Sequence, residues 1–291
     1  MKRSSLSSRQ ARAGYLFSAP WALGFCAFTA YPLLFSLYMS TRAVTITAGG
    51  IVSEPMGMRN FSYALTLDMG FIMALLEAVK FVGVITPLII ILSFVIGLLL
   101  SQPIKMKGLF RTIYFFPVII ISGSLISLLE SSGVFNIINF EQSGVFRALS
   151  VAGLGAFWEA VRFLVTNIFT VLWFSGVQIL IYLSGMQKLD RAMYEAAWID
   201  GASKWQCFWK ITLPCTSQFT LINVVYTTVT LATFSANGVI EKIRLDMFGS
   251  RQFQGMGYAS AMAWIYFFII LLMLLIFSSL SGAGRREKGK A

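Results

Sequence analysis

Six stretches of this chain run for 18 residues or more without an Asp, Glu, Lys or Arg: 13–41, 81–104, 112–129, 163–187, 211–240 and 252–284. Each can supply the roughly 20 apolar residues that a helix needs to cross the hydrocarbon of a bilayer. Backbone polar groups find no water there, so they must be bonded within a helix or around a closed barrel. A barrel strand would alternate apolar and polar positions over about 10 residues. The run Pro87-Leu88-Ile89-Ile90-Ile91-Leu92 does not alternate. Only 12% of the 291 residues are charged, against about 25% in soluble domains. The expected class is an all-α membrane protein.

The net charge of +11 is unevenly distributed. The N-terminus, 102–111, 187–210 and the C-terminal tail together hold 15 of the 23 basic and 4 of the 12 acidic residues, which is the whole excess. The positive-inside rule puts those segments on the cytoplasmic face. Six transmembrane helices follow, at about 14–40, 71–101, 110–130, 162–186, 216–239 and 258–281, with both termini cytoplasmic. The transmembrane domain is then 13–284, between a basic lead, 1–12, and a basic tail, 285–291. The lead either lies along the anionic inner leaflet or is a disordered tail that only sets orientation. Basic residues that follow the topology in this way give no reason to expect a nucleic-acid partner. Cys26, Cys207 and Cys215 are not spaced for zinc, and reduced thiols are expected. The first apolar run, 29 residues, is too long for the core of a cleavable signal peptide.

The missing chemistry narrows the function. There is no histidine, which removes His-based triads, HExxH zinc sites and His proton relays. Neither a G-x-S-x-G elbow nor a G-x-x-x-x-G-K-[ST] loop occurs, so the chain is not expected to hydrolyse ATP or to be an enzyme. No cofactor or metal is expected on it. Secondary carriers often place ionisable residues near the bilayer midplane; here the charges gather at span ends. Energy for transport would have to come from elsewhere.

Two spans carry polar faces. In span five Asn223, Thr227, Thr230, Phe234 and Asn237 recur at intervals of 4, 3, 4 and 3, one side of a helix. In span four Asn167, Thr170, Phe174 and Gln178 share a face, with Trp173 beside it. Such faces either bond helix to helix or line a wet cavity. Glu77 and Lys80 fall three apart near the start of span two, as a structural pair or as snorkelling charges. Residues 41–70, 131–161 and 240–257 read as external loops. The first has turn signals at Gly49, Gly50, Pro55 and Gly57, the second a short interfacial helix near 143–151, and the third Lys242, Arg244, Asp246 and Arg251.

The elaborate cytoplasmic segment is 187–214. Asp190 can cap a helix starting at Arg191. Gly201 allows a sharp reversal, and Pro214 is expected to stop a second helix. Trp205, Phe208, Trp209 and Thr212 lie at 3–4 spacing on that second helix. An aromatic face there suits either the membrane interface or a partner's groove.

These residues resemble a known pattern. Glu195-Ala196-Ala197, Asp200-Gly201-Ala202, Ile211 and Leu213-Pro214 are similar, at the right spacing, to the EAA loop of ABC importer permeases. Tyr15-Leu16-Phe17, Pro20-Trp21, Gly24-Phe25 and Tyr31-Pro32-Leu33 resemble the first span of sugar permeases of the maltose and glycerol-3-phosphate type. Trp173, Gly185-Met186-Gln187 and Ala259-Ser260-Ala261-Met262-Ala263-Trp264 look similar too. Asp190 departs from the pattern, which usually has proline there. The chain looks like the shorter six-span subunit, without the extra spans and large periplasmic domain of the enteric maltose permease.

The resemblance implies a type I ABC importer permease fold in a bacterial or archaeal cytoplasmic membrane. It implies a second, similar permease, two ABC ATPase subunits that hold ATP and Mg, and an extracytoplasmic solute-binding protein. Glu195, Ala196, Ala197, Asp200, Gly201, Leu213 and Pro214 would couple this chain to an ATPase. Trp173, Phe174, Gln178, Asn223, Thr227, Thr230, Phe234 and Asn237 would line the solute path. Neutral amides, hydroxyls and aromatic faces suit a neutral sugar. The alternatives are another solute, such as a glycerol phosphodiester, or a carrier that needs no ATPase.

Overall fold

A computed structural model describes residues 6–47, 50–102, 108, 109, 112, 163, 167–234, 237–249 and 253–282. The expected third span (but for Thr112), all of 131–161 with its helix near 143–151, and the basic tail lie outside the described residues. Among the described residues three helices are long and apolar enough to cross a membrane: Gly14–Ser40, Met69–Ser101 and Met256–Ser281. The chain divides into two compact units, Met1–Leu75 with Gly238–Phe268, and Leu76–Asn237 with Ile269–Ala291.

The first unit opens with α1 (Leu6–Phe25), a π-helical turn at Cys26–Ala30, and α2 (Tyr31–Ser40). Proline has no N–H, and its ring crowds the carbonyl four residues back. Pro32 stands just beyond the π turn, where the Tyr31 N–H bonds back five residues to Cys26 O. Lengthening the ladder by one residue makes room for the ring. At the end of α2 the hydroxyls of Ser40 and Thr41 bond Leu37 O and Tyr38 O.

Residues 41–70 are not the plain loop expected. β1 (Arg42–Thr47) and β2 (Gly50–Pro55) form an antiparallel hairpin, Arg42 opposite Pro55 and Thr47 opposite Gly50. Arg42 donates from Nε to Ser53 Oγ at 2.6 Å, and α3 (Arg59–Thr66) follows. The hairpin was hidden because Gly49 and Gly50 signal a turn without showing what it joins. Buried Asn60 donates through Nδ2 to Ser40 O at 2.9 Å and Arg42 O at 3.0 Å. One side chain so closes the α2–β1 corner.

Asp68 caps the next helix, α4 (Met69–Ser101): its Oδ1 accepts from the Phe71 N–H at 3.0 Å. Its Oδ2 accepts from Tyr258 OH at 2.7 Å and faces Lys242 Nζ at 3.4 Å. Lys242 also pairs with Asp246 at 2.7 Å, one turn along α10 (Gly238–Met247). The segment 240–257, expected to be a loop, therefore begins as a helix. The last helix, α11 (Met256–Gly282), enters so close to the hairpin that a Cβ on Gly257 would strike Arg42 O. Tyr63 stacks on Phe253 at 4.1 Å and meets Tyr258 edge-on at 5.6 Å. Farther along α11, Trp264 Nε1 donates to Ser36 Oγ at 3.2 Å.

The second unit holds the rest of α4, then α5 (Ile168–Phe174), α6 (Gly176–Met186), α7 (Arg191–Ile199), α8 (Lys204–Cys207), a π turn at Phe208–Thr212, α9 (Leu213–Ala232) and the end of α11. Val82, Ile85 and Ile89 of α4, Val171 and Phe174 of α5, Leu231 of α9 and Met273 of α11 form its main core. A Cβ on Gly97 would come within 3.0 Å of Tyr182, and one on Gly185 would strike the Phe219 ring. Glycine at these positions lets α6 pack closely against α4 and α9.

Candidate functional site

Each turn of the 187–214 segment has a local cause. Asp190 adopts an extended backbone and accepts from the Ala192 N–H at 3.0 Å, so α7 starts at Arg191 as expected. Gly201, at φ +81°, ends it. The Gly201 N–H bonds Trp198 O at 3.0 Å, and the Ala202 N–H bonds Ala197 O at 2.8 Å. This is a complete Schellman turn, which satisfies two of the helix's terminal carbonyls. Nothing lies within 4 Å of a Cβ built on Gly201, so glycine is needed there for its backbone angle and not for space. Ser203 then starts α8 with a reciprocal cap: the Ser203 N–H donates to Gln206 Oε1 at 2.8 Å, and the Gln206 N–H donates to Ser203 Oγ at 3.3 Å. The sequence carried this signal as S-x-x-Q.

Pro214 does not end the second helix. The chain runs from α8 through the π turn into α9, with Pro214 at the second position of α9. The Leu213 N–H reaches back five residues to Phe208 O, repeating the device found before Pro32. The second helix of the loop and span five are therefore one bent rod.

Glu195, Ala196, Asp200, Gly201 and Pro214 are exposed, while Ala197 and Leu213 are half-buried. A cleft of about 360 Å³ opens between Ala197, Asp200, Gly201 and Ala202 on one side and Gln206, Cys207, Lys210 and Ile211 on the other. Ile199 beside it is 86% exposed. Of the residues expected to couple to an ATPase, Ala197, Asp200 and Gly201 line this concavity, while Glu195, Ala196 and Pro214 are exposed and Leu213 is half-buried outside its lining. The aromatic face is divided. Phe208 meets Phe94 of α4 edge-on at 6.0 Å, and Phe94 meets Tyr182 of α6 at 5.3 Å. Trp205 and Trp209 pack on Phe208 but stay mostly exposed.

The expected solute-path residues fall into two groups. Gln178 Nε2 donates to Thr227 Oγ1 at 2.9 Å, and Asn223 Nδ2 donates to Gln178 O at 3.3 Å, all three fully buried between α6 and α9. Gln178 Oε1 and Asn223 Oδ1 have no hydrogen-bond partner among the described residues. Phe174 meets Phe234 edge-on at 5.1 Å, with Trp173 packed against the same core. The five-residue stripe on span five is shorter than expected. α9 ends at Ala232, so Phe234 and Asn237 lie beyond the helix, and Thr230 is half-buried. Thr233 Oγ1 bonds Val229 O, and Asn237 Nδ2 bonds Ala232 O. Thr233, outside the stripe, and Asn237, its last member, take up carbonyls at the end of the helix. Lys80, expected beside Glu77, lies over the Phe163 ring at 5.6 Å.

The lactose transport system permease protein LacF of Rhizobium radiobacter is 30% identical to this chain over 235 residues, covering 78% of this chain and 75% of LacF. The chain belongs to the ABC transporter permease family. A probable ABC transporter permease protein of Bacillus subtilis, YesP, is 29% identical over 97% of this chain and 94% of its own. The trehalose/maltose transport system permease protein MalF of Thermococcus litoralis is 27% identical over 78% of this chain and 75% of its own. No family model matches the chain. Among solved structures, a crystal structure of a bacterial ABC transporter involved in the import of the acidic polysaccharide alginate superposes with a TM-score of 0.60. It covers 98% of this chain and 100% of that one at 20% identity, a likeness of fold. The permease is thus a multi-pass membrane protein with an ABC importer permease fold.

Proposed function

We propose that this permease is the membrane subunit of an ATP-driven sugar importer, and that α7 with its Gly201 turn is where a partner ATPase pushes on it. The exposed cleft lined by Ala197, Asp200 and Gly201, with exposed Glu195 and Ala196 on the same helix, carries this proposal. An ordered, capped element that leaves carboxylates and an apolar tip uncovered suits a groove in another protein. Six spans and cytoplasmic termini follow from the charge asymmetry. Both put this loop on the side where ATP is made available. A second permease, two ATPases with their ATP and Mg, and an extracytoplasmic binding protein would complete the assembly in a bacterial or archaeal cytoplasmic membrane. ATP-driven closure would draw the loops together and open the path outward, and hydrolysis would reset it.

A sugar is favoured by the names of the relatives and by the polar contact between α6 and α9. Unpaired buried acceptors are costly, about 1–3 kcal/mol each. Gln178 Oε1 and Asn223 Oδ1 would be satisfied by hydroxyl donors once the path opens, with Phe174, Phe234 and Trp173 offering ring faces. Thr227, Thr230 and Asn237 would complete that lining. A phosphodiester would want a Lys or Arg here, and 163–187 and 211–240 hold none. The test is affinity purification of the tagged permease from its native membrane. The wild-type chain should bring down a P-loop ATPase and a second permease, and Gly201→Pro should lose the ATPase. Equal recovery of the ATPase with Gly201→Pro would refute docking at this turn.

A further inference from the structure

We infer that Tyr194 and Thr212 are a positioning pair that carries a push on α7 directly to the base of α9. This rests on the docking role given to α7 above. Tyr194 precedes Glu195 but is half-buried where Glu195 is exposed, so it lies on the inner side of the docking helix. Its hydroxyl is 2.9 Å from Thr212 Oγ1, 18 residues farther along. Thr212 is buried and is the last residue of the π turn. The Thr212 hydroxyl points to Cys207 O at 3.5 Å. A hydroxyl has one hydrogen, so with Thr212 donating to Cys207 O, Tyr194 is the donor to Thr212.

The geometry around this pair gives it a mechanical role. Along the backbone, α7 reaches α9 only through the Gly201 reversal and the π turn. Both offer a longer, less direct route than a side-chain contact: one is a glycine turn closed by two backbone hydrogen bonds, the other a wider turn with displaced hydrogen bonds. A push arriving at Glu195 along that route would have to pass through both turns. The hydroxyl bond bypasses both points. It joins the middle of α7 to the residue next to Leu213, where α9 begins. Thr216 Oγ1 bonds Thr212 O at 2.9 Å, which carries the tie one turn into α9. The ATPase would therefore move α9 through a side-chain strut.

The experiment uses the whole importer, purified through a tag on this chain and placed in nanodiscs. A reporter thiol is introduced by Thr230→Cys on α9, in a Cys26→Ser, Cys215→Ser background; Cys207 is buried. The readout is its rate of reaction with N-ethylmaleimide, with and without ATP and vanadate. The strut predicts that Tyr194→Phe and Thr212→Val each leave ATPase recovery unchanged. Each should shrink the nucleotide-driven change in rate by roughly threefold to tenfold, the range of one net hydrogen bond. The double variant should be no worse than either single one, because both remove the same bond. Thr212→Ser, which keeps the hydroxyl, should restore the response. A wild-type response in Tyr194→Phe, or a Thr212→Ser variant as impaired as Thr212→Val, overturns the strut alone. If the parent chain recovers an ATPase but its thiol at 230 ignores nucleotide, α9 receives no push and the strut also fails. If the parent chain recovers no ATPase, the docking role fails first and the strut with it.

Discussion

Single residues in the loop act through backbone geometry more than through contact. Gly201 has open space around it, yet its φ of +81° is one that side chains with a Cβ adopt at a cost. Gly201→Ala should therefore lower stability by about 1 kcal/mol, read as a small drop in unfolding temperature in detergent, while ATPase recovery persists. A loss as large as that of Gly201→Pro would mean that space, not angle, governs the position. Between α6 and α9 the polar atoms act by mutual satisfaction. Thr227→Val would strand the Gln178 amide and should cost about 1–3 kcal/mol of stability. Adding Gln178→Leu should recover part of that loss, since an apolar pair leaves nothing unpaired. A double variant less stable than Thr227→Val would refute it. At this scale the sequence was informative where the chain bonds to itself nearby: Asp190 and Gly201 follow from short spacing, and the Ser203–Gln206 box, not among those expectations, has spacing of the same kind. Tyr194 with Thr212, or Asp68 with Tyr258, could not be found that way. Their partners are brought close only by the fold.

At the level of elements, both prolines that follow a π turn are accommodated by extending the ladder and not by breaking the helix. Pro214 was expected to stop a helix because proline usually does so in water. Here the adjoining turn widens by one residue and the rod continues into α9. Pro214→Ala would restore an N–H able to bond Lys210 O. The turn should relax toward regular α geometry, and amide hydrogen exchange over 208–214 should slow. Unchanged exchange there would mean that the proline does not set the π turn. The opposite error occurred at the other end of α9. Periodicity alone continued the polar stripe to Asn237, but helix ends depend on who takes the last carbonyls, and Thr233 and Asn237 take them. The hairpin at 42–55 was equally hidden: a short two-stranded pair has little periodicity to set it apart from a loop, and what steadies it comes from Asn60 and Gly257.

Across the whole molecule, three of the six expected spans stand among the described residues as helices long and apolar enough to cross a membrane, because uncharged length is a bulk property that tertiary contacts do not override. The first unit also depends on charges that hydropathy ignores. Burial raises the Asp68 carboxyl, but the Tyr258 hydroxyl, the Phe71 N–H and the Lys242 charge outweigh it and hold it below its ordinary 3.8. Burial lowers Lys242, but its bond to Asp246 and the charges of Asp246 and Asp68 outweigh that and raise it above its ordinary 10.5. A depressed acid stabilises the fold above its unfolded value and loses this as pH falls through its folded one. A raised base stabilises below its unfolded value and loses this as pH rises through its folded one. The unfolding temperature of the permease should hold a plateau between about 4 and 10 and fall on both sides. Asp68→Asn should remove the Asp68 part of the acid limb, lower the plateau and leave an alkaline limb from Lys242 with Asp246. An unaltered acid limb in Asp68→Asn would assign it to other carboxylates.

The contact between Tyr258 and Asp68 spans 190 positions of sequence. It cannot form until the last helix has left the ribosome. Until then a nascent chain holds Asp68 at the head of its second long helix without the Tyr258 hydroxyl that helps hold it ionised. Assembly of the first unit is thus a late event in synthesis, and a chain cut short before Lys242 would display an unmatched carboxylate to the cell's proteases.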